Sequence, residues 1–170
     1  MARDYLEGVL RLVRDPSTSE WMRWRYSMHL FASLGELALA RGDSDTARGH
    51  ADECLERATR TRSRKYIVKS WRLRGELALA RRHGDDAEHA LRQALEVAQS
   101  IDNPTELWKT HAALGRLYAA LRLPEASSQA YRSAVKVVDR IKASVDDPKL
   151  AETLATAPRF RELYQHAGPE

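Results

Sequence analysis

The side chains in this sequence with most scope for chemistry are six histidines, a single cysteine and a run of arginines. The histidines stand at positions 29, 50, 83, 89, 111 and 166 and match no HExxH or other zinc spacing. Only His50 and Cys54 share a helical face, and two ligands are too few for a closed zinc site. Cys54 occupies a small-residue core position, which favours a buried thiol. We therefore expect no metal and no cofactor.

Catalytic motifs are missing from the sequence. It contains no Gly-rich phosphate loop, no nucleophile elbow and no isolated acid pair. At 170 residues, three to four helical repeats leave no room for a separate catalytic domain. The sequence therefore predicts that the protein is not an enzyme. Short apolar runs, no signal-peptide core and one cysteine predict a cytoplasmic location and no membrane partner.

The arginine run gives the middle of the chain a strong positive charge. Between residues 57 and 82 ten Lys and Arg side chains face a single acid, Glu76, which is a net charge of +9. An acidic protein surface or a phosphate backbone would be attracted to such a segment. Nucleic-acid binding is the less favoured interpretation because no nucleic-acid motif accompanies the cluster. The basic patch that could contact phosphates, beside Tyr66, consists of Arg60, Arg62, Arg64 and Lys65.

A sequence repeat indicates which helices position these side chains. Gly35, Gly75 and Gly115 stand 40 residues apart, each in a similar apolar sequence such as LRGELALA. A fixed period in this range predicts a solenoid of stacked helical units. Apolar residues at spacings of three and four predict amphipathic helices throughout. The 43% apolar composition indicates a folded chain.

Turn and capping residues divide this predicted single domain. Capping boxes at Ser17 and Asp85 and a cap at Asn103 predict helix starts, and further helices follow Asp147-Pro148 and Ala157-Pro158. The predicted units are a leading helix 1–16, repeats 17–61, 62–101 and 102–145, and a C-terminal cap 146–170 that covers the last apolar face.

These repeats resemble the tetratricopeptide repeat (TPR) family. The resemblance spans about residues 20 to 140, although each unit is six residues longer than usual and the family's closing proline is absent. It implies an all-α, right-handed α-α superhelix of three helical hairpins with an N-terminal half repeat and capping helices. The pattern is carried by Trp71, Gly75, Ala87, Leu91 and Ala94, by Leu114, Gly115, Tyr118, Ser127, Tyr131 and Ala134, and more loosely by Phe31, Leu34, Gly35, Ala47, Ala51 and Cys54.

The same resemblance implies where a ligand would bind. In TPR arrays the first helix of each unit lines a concave groove. The glycine register transfers that groove to His29, Glu36, Lys69, Arg72, Glu76, Lys109 and Arg116. A positive groove could hold a carboxylate of an acidic peptide. The lysine and asparagine carboxylate clamp of the family is not reproduced, because Glu76 stands where asparagine is required. A solvated charged face without a ligand is the other interpretation.

The tail from Val138 to Pro158 resembles the closing segment of large bacterial regulators that carry C-terminal TPR repeats. Together these observations predict a regulatory or scaffolding module that binds a protein or peptide segment in its groove. Nucleic-acid binding through residues 57–82 is one alternative. Self-association through the solenoid ends, giving a homodimer, is another, because Trp21 and Trp24 lie near the edge of the predicted array.

Overall fold

The computed structural model describes residues 2–168, with the side chains of residues 2, 3, 25 and 155 left undescribed. Within that range the chain is all-helical and forms no strand, which confirms the predicted all-α class. The nine described helices are α1 (Ala2–Arg14), α2 (Glu20–Ala40), α3 (Ser44–Arg60), α4 (Arg64–Ala80), α5 (Gly84–Ser100), α6 (Pro104–Ala120), α7 (Pro124–Ala143), α8 (Pro148–Thr156) and α9 (Pro158–Ala167).

The helices pack in chain order. Each helix from α1 to α8 contacts the next, and α2 also contacts α4, α4 contacts α6, and α7 contacts α9. The alternate contacts place α2, α4 and α6 side by side. Helix α9 packs against α7 while the shorter α8 connects them, so α9 continues the succession of helices beyond the third repeat.

Three-residue turns recur every 20 residues between α2 and α7. In each turn the middle residue adopts the left-handed conformation, with φ values of 77°, 54°, 61°, 40° and 59° at Gly42, Arg62, Arg82, Asp102 and Arg122. Helices α3 to α6 each span 17 residues. The 40-residue sequence period is therefore two equal helix-and-turn segments. Only the first of the five turns has glycine, which adopts positive φ without a steric cost, at this position.

The N-terminal caps of the helices agree with the sequence prediction at one of three positions. Asn103 caps α6, as predicted, by accepting a hydrogen bond from the Glu106 backbone N–H at 3.1 Å. The predicted cap at Ser17 is wrong, because Ser19 precedes α2 and its hydroxyl accepts from the Met22 N–H. The predicted cap at Asp85 is also wrong, because α5 begins at Gly84 and places Asp85 in its first turn.

The repeated glycines mark close contacts between helices. A Cβ atom on Gly75 would lie 2.6 Å from Leu91 Cγ, and one on Gly115 would lie 2.7 Å from the Tyr131 ring. The contacting residue belongs to the following helix and lies 16 positions on. At Gly35 that position is the smaller Ala51, and Leu73 of α4 occupies the space instead. Each glycine therefore permits a large side chain to pack against a helix backbone.

The C-terminal helices cover the end of the array. Phe160 and Leu163 of α9 are buried against Tyr131 and Val138 of α7. The Phe160 ring also meets Trp108 of α6 edge to face, with 5.4 Å between ring centroids. This burial removes apolar surface of the third repeat from water, which stabilises the end of the array. None of the described helices is long and apolar enough to cross a membrane.

Candidate ligand-binding groove

Five of the seven predicted groove residues line one cleft of about 390 Å³. They come from three helices that lie side by side, and α9 closes the other side with Arg159, Glu162 and Leu163. The 40-residue register brings the residues together because equivalent positions of successive first helices point to the same face. The five predicted residues are Glu36 on α2, Arg72 and Glu76 on α4, and Lys109 and Arg116 on α6.

Arg72 forms the buried end of this cleft. Its side chain is only 7% exposed and its Nη1 donates to Glu106 Oε2 at 2.5 Å, with Glu106 itself 1% exposed. Glu36 lies 3.8 Å from the other terminal nitrogen. Arg72 is therefore not the exposed cation that the groove register predicts. A buried guanidinium held by a buried carboxylate fixes the relation of α4 to α6.

Arg116 and Glu76 form a second ion pair across the same two helices. Arg116 Nη2 donates to Glu76 Oε1 at 2.6 Å, and the two side chains are 50% and 25% exposed. Glu76 thus neutralises a neighbouring cation. The charge of Arg116 is available to a ligand only in competition with Glu76.

Lys109 lies against an aromatic ring and is partly buried in this cleft. Its Nζ lies 5.7 Å from the centroid of the Trp108 ring. Partial burial, followed by repulsion from Arg72, lowers the pKa of Lys109 below its usual value. Among the described residues Lys109 and Arg159 form no ion pair. They are therefore the two lining cations free to meet an incoming anion.

The other two predicted groove residues do not line the cleft. His29 is an exposed residue of α2. Lys69 is half-buried on α4, with its Nζ 5.9 Å from the centroid of the Tyr66 ring. Both share the repeat position of Lys109, yet His29 lies about two turns before Glu36 on α2 and Lys69 about one turn before Arg72 on α4, outside the lining.

Sequence reasoning missed Glu106, Trp108, Arg159 and Glu162 as parts of the groove. A signal for Glu106 was present, because the equivalent repeat positions hold Tyr26 and Tyr66. The same holds for Arg72, whose counterparts are alanines 32 and 112. Two opposite charges that replace uncharged residues in adjacent repeats indicate an ion pair between them. The α9 residues follow the repeats and have no counterpart by which to place them.

In the folded chain, acids from outside the segment neutralise part of the positive charge of the basic run from residue 57 to residue 82. Four of its arginines are ion-paired: Arg57 with Glu53, Arg72 with Glu106, Arg74 with Asp52 and Arg81 with Asp45. The predicted basic patch surrounds the α3–α4 turn, with Arg60, Arg62, Arg64 and Lys65 all exposed. Arg64 donates to Ser100 Oγ at 2.6 Å.

The single cysteine is a core residue. Cys54 is fully buried and its Sγ donates to the Met28 carbonyl oxygen at 3.3 Å. Burial raises the pKa of the thiol, which keeps it protonated. In the part of the chain that the structure describes, no three His, Cys, Asp or Glu side chains are grouped to hold a metal ion.

Comparison with protein-family models, curated proteins and solved structures finds no match to this chain.

Proposed function

We propose that the protein is a TPR-like, right-handed α-α superhelix that binds a segment of another protein in its concave groove, as a regulatory or scaffolding module without catalysis. The observation that carries the proposal is the convergence of five register-predicted residues and α9 on one cleft. A rigid helical scaffold pays little ordering entropy when it binds an extended or helical segment, which favours affinity.

The charges of the cleft indicate the chemistry of the segment. Lys109 and Arg159 offer cations with no ion pair among the described residues, and Trp108, next to Lys109 in sequence, offers an apolar surface in the same lining. A carboxylate of the bound segment would accept charge-assisted hydrogen bonds from these cations. Glu36 and Glu162 would disfavour a uniformly acidic ligand. The expected ligand is a peptide with an acidic residue next to an apolar one.

A charge-reversal pair tests the proposal. Affinity capture from a host lysate, with nuclease added, compares the wild-type chain with the double variant Lys109→Glu, Arg159→Glu. The matched control is Arg122→Glu, Lys136→Glu, which makes the same charge change at two exposed residues outside the cleft. We expect a discrete protein to be retained by the wild type and the control and lost from the cleft variant. Equal retention by all three proteins would contradict the groove.

Self-association is the second candidate, favoured by one observation. Near the start of α2, Trp21, Met22, Trp24 and Tyr26 are 61%, 48%, 45% and 49% exposed. Clustered exposed aromatic residues are typical of association surfaces. Light scattering across a concentration series would show a dimer that Trp21→Ser abolishes. A monomer at all concentrations would refute this candidate and leave the groove proposal standing.

A further inference from the structure

A second cleft, of about 610 Å³, lies at the other end of the array between α1, α2 and the end of α3. Its lining carries four arginines against one acid. Arg14 comes from the end of α1, Arg23 from the first turns of α2, and Arg57 and Arg60 from the last turn of α3. Glu20 is the acid, so these five side chains carry a net charge of +3. None of the arginines belongs to the concave groove.

Most of this positive charge is not neutralised within the protein. Of these four arginines, only Arg57 forms an ion pair among the described residues. Its guanidinium pairs with Glu53 at 2.8 Å and lies over the Phe31 ring, 5.1 Å from the ring centroid. Arg14, Arg23 and Arg60 have no ion pair among the described residues. Hydrogen bonds from Ser17 are the main cause of the lowered pKa of Asp15, and the nearby Arg23 adds to it without forming an ion pair.

Arg23 is a partly buried member of this lining. Its Nε is buried and has no hydrogen-bond acceptor. A buried donor without a partner is destabilising, more so when the group is charged. Guanidinium groups crowded into one cleft also repel one another. An anion bound at the accessible nitrogens of these guanidinium groups would relieve that repulsion.

The chemistry of the lining identifies the anion. Planar guanidinium groups bind phosphate oxygens in a bidentate manner, and arginine is the residue that phosphate recognition favours. Trp24, 45% exposed, lines the same cleft and offers a ring face. We infer that this cleft is a binding site for a phosphorylated small molecule, held through its phosphoryl groups by Arg14, Arg23 and Arg60. The nitrogenous ring of a nucleotide could stack on Trp24.

Calorimetric titration of the full chain with pyrophosphate tests this inference. Because a hydrogen bond to a charged group contributes roughly 1.5–3 kcal/mol, Arg23→Gln with Arg60→Gln should weaken binding at least about tenfold. The matched control is Arg62→Gln with Arg64→Gln, which removes the same charge from exposed residues outside this lining and should leave the affinity within about twofold. Arg14→Gln, at an exposed residue, should also weaken binding and gives a variant with no buried group disturbed.

Titration with ATP separates the two sources of the phosphoryl group. Equal affinity for ATP and pyrophosphate would assign the site to the phosphoryl groups alone. Tighter binding of ATP, lost in Trp24→Leu, would assign it to a nucleotide. The inference is overturned if pyrophosphate does not bind at millimolar concentration, or if the cleft and control variants lose affinity equally. It is also overturned if only single-stranded oligonucleotides bind and the control variant abolishes that binding.

Discussion

At the scale of single residues, the buried pair of Arg72 and Glu106 has the largest consequence for stability. Removing one partner leaves the other charge buried and unpaired, which typically costs about 3–5 kcal/mol. We expect Glu106→Gln to lower the free energy of unfolding by about that amount, measured by urea denaturation. Glu36 cannot compensate, because it lies 3.8 Å from Arg72 and is 52% exposed.

The double variant Arg72→Met, Glu106→Leu is the control for this prediction. Replacing both charges with apolar side chains of similar volume is often neutral or stabilising, so stability should return to near the wild-type value. If the free energy of unfolding of Glu106→Gln were within about 1 kcal/mol of the wild-type value, the assignment of a buried charge pair would be contradicted.

A substitution at one of the left-handed turn residues is predicted to raise the free energy of unfolding, unlike Glu106→Gln. Arg122 has φ of 59°, and its side chain makes no hydrogen bond or ion pair among the described residues. This conformation costs a residue with a Cβ roughly 1–2 kcal/mol, whereas glycine adopts it freely at some cost in unfolded-state entropy. Arg122→Gly should therefore stabilise the protein by roughly 0.5–1 kcal/mol, seen as a higher urea midpoint. Gly42→Ala, at the equivalent turn, should lower the midpoint.

At the scale of helices, the glycine contacts decide how closely α4 and α5 approach. A Cβ at residue 75 would lie 2.6 Å from Leu91 Cγ and 3.2 Å from the Ala87 carbonyl oxygen, and Leu91 is fully buried. Gly75→Ala should therefore overpack the pair and destabilise the protein by about 1–3 kcal/mol, measured by thermal or urea unfolding.

The matched control for Gly75→Ala is Gly49→Ala. Residue 49 is exposed on α3 and a Cβ there meets nothing within 4 Å. Helix propensity alone then applies, and the substitution should stabilise by roughly 0.5–1 kcal/mol. Stabilisation by both substitutions would mean that α4 and α5 are not held at the distance described.

The helices show which features a single sequence predicts. Their class and approximate positions follow from the period of apolar residues, because burial of one face governs every repeat in the same way. The caps of α2 and α5 differ from the prediction for two reasons. Ser17 and Ser19 both precede α2 and either hydroxyl could accept a backbone N–H, whereas α5 begins without a side-chain hydrogen bond at its cap. The part of α9 in the groove could not be predicted, because only tertiary packing against α7 directs Arg159 and Glu162 toward α6.

At the scale of the whole molecule, packing in chain order predicts that stability is local. Among the described residues, α2 and α3 pack mainly against each other, α1 and α4, whereas α7 packs mainly against α6, α8 and α9. In such quasi-one-dimensional proteins, each segment depends mainly on its neighbours. Amide hydrogen exchange measures this dependence helix by helix.

Two phenylalanines at opposite ends allow a reciprocal experiment. Phe160 anchors α9 on Tyr131 and Trp108, whereas Phe31 is fully buried against Met28 and Cys54 near the other end. Phe160→Ala should accelerate exchange in α6, α7 and α9 and leave α2 and α3 near wild-type protection, because the lost contacts lie on those C-terminal helices. Phe31→Ala should produce the reverse pattern. Uniform acceleration throughout the chain by either variant would instead indicate one cooperative unit, in which a ligand at the α9 side of the groove would stabilise α2 as strongly as α7.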